Sequence, residues 1–219
     1  MIRFILPLGL LSVVCGATHP IDRYIILNGY FISVEYPVTP GVLENATREA
    51  SKEYFDILSE EENTFAQINE KLQAWAKKHN LEKEYREGED ALKKSTEERN
   101  KQVLAMISNL SAVTSEYDEI NENVNLTTIE RRNKIRELMQ KDPNVSSLIT
   151  YGRLLDYSVD MLWSKLSAVY NEYVGTEEDV NLTLTEKRNK IRELVQKYPK
   201  ELTLIHRARR LATPWSLTG

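Results

Sequence analysis

The sequence predicts an all-α fold: an amphipathic helical bundle with a duplicated C-terminal helix pair and a short β-hairpin near the N-terminus. Three observations carry that prediction. Between Pro40 and Pro143 there is no proline and only two glycines, Gly41 and Gly88, so a long stretch lacks the residues that most often end helices. Within it, apolar residues recur at intervals of three and four. A 34-residue segment, Leu110 to Pro143, then returns 56 residues later as Leu166 to Pro199, with 22 of the 34 pairs identical.

The first element to set aside is a secretory signal peptide over residues 1–17. Met-Ile-Arg precedes the apolar run Phe4 to Val14, and Cys15, Gly16 and Ala17 supply the small-residue site, with cleavage after Gly16 or Ala17. The run holds eleven residues and is interrupted by Pro7, whereas a spanning helix needs about 20. No later segment has a spanning helix's apolar length, so the mature chain is expected to be secreted and soluble. Next, Arg23 to Leu27 and Tyr30 to Val34 are rich in β-branched and aromatic residues and flank Asn28-Gly29, a type I′ hairpin signal.

The helices follow in order. Asn45 to Ser59 carries Ala50, Tyr54, Ile57 and Leu58 on one face, and Glu60 to Asn63 forms a polar joint. Thr64 with Gln67 opens a second helix through a capping box; its stripe is Ile68, Leu72, Trp75 and Ala76, and it stops near Asn80. The chain is helix-forming from about Ala91. From Val103, the residues Met106, Ile107, Leu110, Val113, Tyr117 and Ile120 mark one long amphipathic helix. Asn121 to Leu126 is a turn. Thr127 with Glu130 caps a helix to about Lys141, with Ile129, Ile135, Leu138 and Met139 as its inner face. Gly152 predicts a break, and Val159 to Tyr173 a second long helix.

Composition narrows the chemistry. Lys plus Arg number 29 and Asp plus Glu 33, a net charge of −4, which gives no electrostatic grip on nucleic acid. Cys15 is the only cysteine and leaves with the signal peptide, so neither a disulfide nor a thiol nucleophile is available. The three histidines, His19, His79 and His206, have no acid at ligand or triad spacing, and no phosphate-binding glycine loop or nucleophile elbow is present. A non-enzymatic protein with no cofactor is expected. Glu60-Glu61-Glu62 and Glu177-Glu178-Asp179 sit at predicted turns but lack the spacing of a calcium loop, which leaves weak divalent-cation association. Trp75, Met106, Tyr117, Met139 and Trp163 are candidates to line a cavity for an apolar small molecule, or to form an ordinary core. Secretion makes five sequons candidate glycosylation sites: Asn45, Asn109, Asn125, Asn144 and Asn181. His206-Arg207-Ala208-Arg209-Arg210 reads as a frayed, solvated end, with a dibasic processing site or a patch for anionic surfaces as the alternatives.

The duplication creates a shortage. Two copies of the helix pair face one pair of N-terminal helices, so only one copy can pack against the Trp75 helix. The linker, the other copy, a second chain or an apolar ligand must bury the rest.

Several of these stretches resemble the SXP/RAL-2 family of secreted nematode proteins. The carriers are Glu-Tyr-Phe-Asp-Ile-Leu at 53–58, the segment Ile68 to Asn80, Ile107 to Val113, the Asn-Leu-Thr openings at Asn125 and Asn181, and Lys-Tyr-Pro-Lys-Glu at 197–201. The resemblance implies a helical antigen or allergen without enzymatic activity, acting through an unidentified protein partner or self-association. Binding of a divalent cation, or carriage of a fatty acid or retinoid, is the alternative it leaves. The hairpin segment, the duplication and the basic tail depart from the family pattern. The expected organisation is a signal peptide at 1–17, an extension at 18–43 and a family-like domain at 44–143. A linker plus second copy at 144–210 and a tail at 211–219 complete it.

Overall fold

The computed structural model describes residues 24–27, 30–33, 38–39, 41–155 and 159–212. The signal segment, Asn28-Gly29 and residues 213–219 lie outside them. Strands β1 (Tyr24–Leu27) and β2 (Tyr30–Ser33) pair antiparallel, with Tyr24 opposite Ser33 and Leu27 opposite Tyr30, the register that an Asn28-Gly29 turn requires. Eight helices follow among the described residues: α1 (Arg48–Leu58), α2 (Phe65–Lys78), α3 (Glu82–Glu122), α4 (Thr128–Lys141), α5 (Pro143–Leu155), α6 (Val159–Glu178), α7 (Leu184–Lys197) and α8 (Pro199–Ala212).

Local chemistry sets most boundaries. Thr47 caps α1, its Oγ1 accepting from the Ala50 amide at 3.1 Å, so the helix starts slightly later than Asn45. Thr64 and Gln67 form the predicted capping box, and Asn80 adopts φ 56°, the left-handed region asparagine tolerates, at the turn out of α2. Helix α3 begins at Glu82, well before Ala91, and runs 41 residues without interruption, about 60 Å at 1.5 Å per residue.

The repeat is larger than its sequence identity shows. Each copy is a three-helix unit: the C-terminal part of α3 with α4 and α5, then α6 with α7 and α8. Helix α4 packs on α3 and α5, as α7 packs on α6 and α8. The units join through α3, α5, α6 and α8, whose Val103, Leu110, Leu148, Ile149, Leu166, Tyr170, Leu204 and Ile205 belong to one continuous core. Helices α3 and α6 run antiparallel, cross-linked by Trp163 Nε1 donating to Thr114 Oγ1 (3.1 Å) and Tyr170 Oη donating to Asn100 Oδ1 (2.9 Å). The first copy is therefore what chiefly buries the second.

Three expectations need correction. The basic stretch 206–210 is part of α8, whose Leu202, Ile205, Ala208 and Ala212 are buried, so it is not a frayed end. Its Arg209 Nη1 donates to Glu177 Oε2 at 2.7 Å, and Tyr173 Oη donates to Glu177 Oε1 at 2.8 Å. Gly152 does not break α5; the Trp163 ring lies against it, so close that a Cβ there would be 2.1 Å from Cη2. Of the predicted inner face of α4, only Leu138 is buried and Ile129 is 71% exposed, whereas α7 buries Leu184, Lys187, Arg188, Ile191 and Leu194.

A second, smaller core belongs to an N-terminal lobe made of α1, α2 and the start of α3. Tyr54, Ile68, Leu72, Trp75, Ala76, Leu81 and Tyr85 fill it. Trp75 Nε1 donates to the Ala50 carbonyl at 2.9 Å, and the Tyr54 and Trp75 rings meet edge-on at 5.0 Å. Neither Leu138 nor Leu194 joins this cluster, so neither copy covers the Trp75 face: α1, Val42 and the start of α3 already do.

Both leucines are buried, so the equivalent pair that separates the copies is Ile135 and Ile191, the first half-buried and the second fully enclosed. Ile191→Asp should cost about 3 kcal/mol or more and Ile135→Asp about 1 kcal/mol in denaturant titrations; equal losses would contradict the asymmetry. Gly152→Ala should lower stability by about 1–3 kcal/mol through overpacking against Trp163, and Trp163→Phe in the same chain should recover part of that loss.

Candidate functional site

Each copy carries an identical Val-Asn-Leu-Thr loop before its short helix, at 124–127 and 180–183. The loops share their internal hydrogen bonds. In the first, the Asn125 amide donates to Asn123 Oδ1 (3.0 Å), the Glu130 amide to Thr127 Oγ1 (3.2 Å) and the Thr127 amide to Glu130 Oε2 (2.8 Å). In the second, Asn181 donates to Asp179 Oδ1 (3.0 Å), Glu186 to Thr183 Oγ1 (3.2 Å) and Thr183 to Glu186 Oε2 (2.7 Å). The threonine hydrogen bonds hold both Glu130 and Glu186 below the ordinary carboxylate range.

Among the described residues, only the second loop is occupied. It receives the start of α2, where the first amides of a helix have no intrahelical acceptor. Phe65 N donates to the Leu182 carbonyl (3.1 Å), Ala66 N donates to the Val180 carbonyl (2.8 Å), and Thr64 and Thr183 form an antiparallel bridge. Two side chains complete the contact: buried Arg188 donates to Glu61 Oε1 at 3.1 Å, and Lys187 Nζ stands 3.5 Å from the Phe65 ring centre. The first loop faces solvent. Val124 is 89% exposed, Arg132, the counterpart of Arg188, is exposed, and the Val124 and Leu126 carbonyls have no backbone partner among the described residues.

The predicted cavity residues are not brought together. Trp75 is in the lobe core, and Met106 and Trp163 are in the large core. Tyr117 lies under the Arg153 guanidinium at 4.0 Å. Met139 borders an open groove of about 390 Å³ with Pro143, Ser146, Ser147, Thr150, Tyr151, Leu154 and Arg207. All five sequon asparagines, Asn45, Asn109, Asn125, Asn144 and Asn181, are solvent-exposed. His79 meets Glu53, 26 residues away in sequence, across the lobe at 2.8 Å, and Lys78 shares that carboxylate, closing α1 on α2.

The acidic turns are spent on ion pairs and loop geometry. Glu60 pairs with Lys71, Glu61 with Arg188 and Glu177 with Arg209, while Asp179 accepts from Asn181. Among the described residues, no three His, Cys, Asp or Glu side chains converge as a metal site would require. The residues present do not fit a preformed metal centre. Sequence reasoning singled out none of Phe65, Lys187 and Arg188, and it reached Glu61 only as part of an acidic turn for cation association. The signal that could have found them is the retention of a surface loop, Val-Asn-Leu-Thr, in both copies.

Burial lowers the Lys187 pKa to about 8 against the nearby Glu177, Asp179 and Glu178 carboxylates, which act to raise it. A depressed lysine binds fewer protons folded than unfolded between about pH 8 and its ordinary value near 10.4, so stability rises with pH across that window. Burial also pushes the Tyr170 and Tyr173 phenols up, which costs stability above about pH 10. The melting temperature should therefore climb between pH 8 and about pH 10, and Lys187→Met should flatten the climb.

A family model described as SXP/RAL-2 family protein Ani s 5-like, metal-binding domain, matches residues 2–156. No curated protein and no solved structure matches the chain. The matched span takes in the lobe and the whole first copy, and it covers well over half of the 219 residues. The chain belongs to the SXP/RAL-2 family.

Proposed function

We propose that the protein is a secreted, non-enzymatic binding protein whose partner-facing surface is the Val124–Thr127 loop together with the outer side of α4. One observation carries this reading: the same loop, with matching hydrogen bonds at its asparagine and threonine, packs against the N-terminal lobe of its own chain in the second copy and has no such partner among the described residues in the first. Exposed Val124 and Ile129 add apolar area to it. The ion pairs that occupy the acidic turns direct the reading away from the metal binding named in the family description, and towards contact with another protein.

Val124→Lys/Ile129→Lys should leave folding within about 0.5 kcal/mol per site, because both side chains are exposed. Immobilised wild type, exposed to the fluid into which the protein is secreted, should retain a protein that this variant binds at least 10-fold more weakly. Equal retention by both would overturn the reading.

A further inference from the structure

We infer that the first-copy loop is a second dock for an N-terminal lobe, and that the lobe it takes is that of a second copy of this chain. The inference rests on the proposed role of the first copy as an interaction surface, and it adds a second copy of this chain to what that surface takes. The occupied dock defines what the bare one fits. Such a ligand offers two helix-start amides without an intrahelical acceptor, an aromatic first residue and a carboxylate three residues before the capping threonine. In this chain those groups are Phe65 N, Ala66 N, the Phe65 ring and Glu61.

The first copy keeps the receiving groups, except that Arg131, whose Nη2 donates to the Asn123 carbonyl, stands in place of Lys187. The carbonyls of Val124 and Leu126 correspond to those of Val180 and Leu182, and Arg132 corresponds to Arg188. The matching hydrogen bonds at Asn125 and Asn181, and at Thr127 and Thr183, fix the two loops in one shape, so the bare dock is preformed.

A chain cannot place its own lobe there. The lobe is seated at the start of α3 and the bare loop follows its end, 41 residues away along one unbroken helix of about 60 Å. The lobe must come from another molecule, by exchange of α1, α2 and the start of α3 between chains. The lobe has its own core, and no α3 residue between Tyr85 and Val103 belongs to either core, so bending α3 in that stretch lets the lobe change docks without unfolding; its contact with the second copy includes two backbone hydrogen bonds, the Thr64–Thr183 bridge, one ion pair and the Phe65 ring. Exchange leaves the number of filled docks unchanged. The own-chain dock has the advantage of high effective concentration, so the dilute protein is monomeric and association appears once that dock is weakened.

A charge swap tests this by sedimentation equilibrium on the full mature chain. Glu61→Arg alone sets like charges against Arg188 and Arg132, so it should loosen the lobe and stay monomeric. Glu61→Arg with Arg188→Glu restores the own-chain pair and should also be monomeric, with a recovered melting temperature. Glu61→Arg with Arg132→Glu repels the own dock and complements the partner's, so it should dimerise at least 10-fold more tightly than Glu61→Arg alone. A monomeric Glu61→Arg/Arg132→Glu protein, or equal association of all three variants, would overturn the inference. The retention experiment with Val124→Lys/Ile129→Lys would still stand, because it reads binding to a different protein.

Discussion

The unbroken helix α3 is the constraint on which the arrangement depends. It ties the lobe at one end to the first copy at the other, and no turn lets the two meet. Helix α6 runs back along it, antiparallel, and so returns the second copy's loop to the lobe. Because α3 runs unbroken from the lobe to the first copy, the lobe is served by the copy more distant in sequence. Packing of the two copies on each other then follows from the same geometry: α3 and α6 lie side by side, and α5 and α8 close the core that they begin.

Most of the fold was legible because its signals are local. Thr64 with Gln67, Thr127 with Glu130 and Thr183 with Glu186 are capping boxes that need only four residues to read, and all three open helices. Other features were hidden because their cause lies across the molecule. Gly152 looks like a breaker until the Trp163 ring that requires it is placed beside it. The basic run in α8 looks solvated until Glu177, Tyr173 and Ser147 are found to receive its arginines. The third helix of each unit escaped detection because identity falls after Pro143 and Pro199, although the inward pairs Leu148/Leu204 and Ile149/Ile205 persist.

The candidate site was half legible. The sequence shows that a polar surface segment is retained in both copies, which core packing does not demand, but not what that segment touches. The contact with Phe65 and Ala66 uses main-chain amides, and main-chain groups leave no mark in a sequence. One copy does meet the Trp75 helix, but at its first turn and not over its apolar face. That face was already satisfied by Tyr54 of α1, Leu81 in the turn after α2 and Tyr85 at the start of α3.

Asn181 carries one more consequence. Its side chain stays in solvent while the loop around it grips the lobe, and Asn125 holds the corresponding place in the open loop. A carbohydrate attached at either asparagine would therefore project away from the seam, decorating its rim without plugging it.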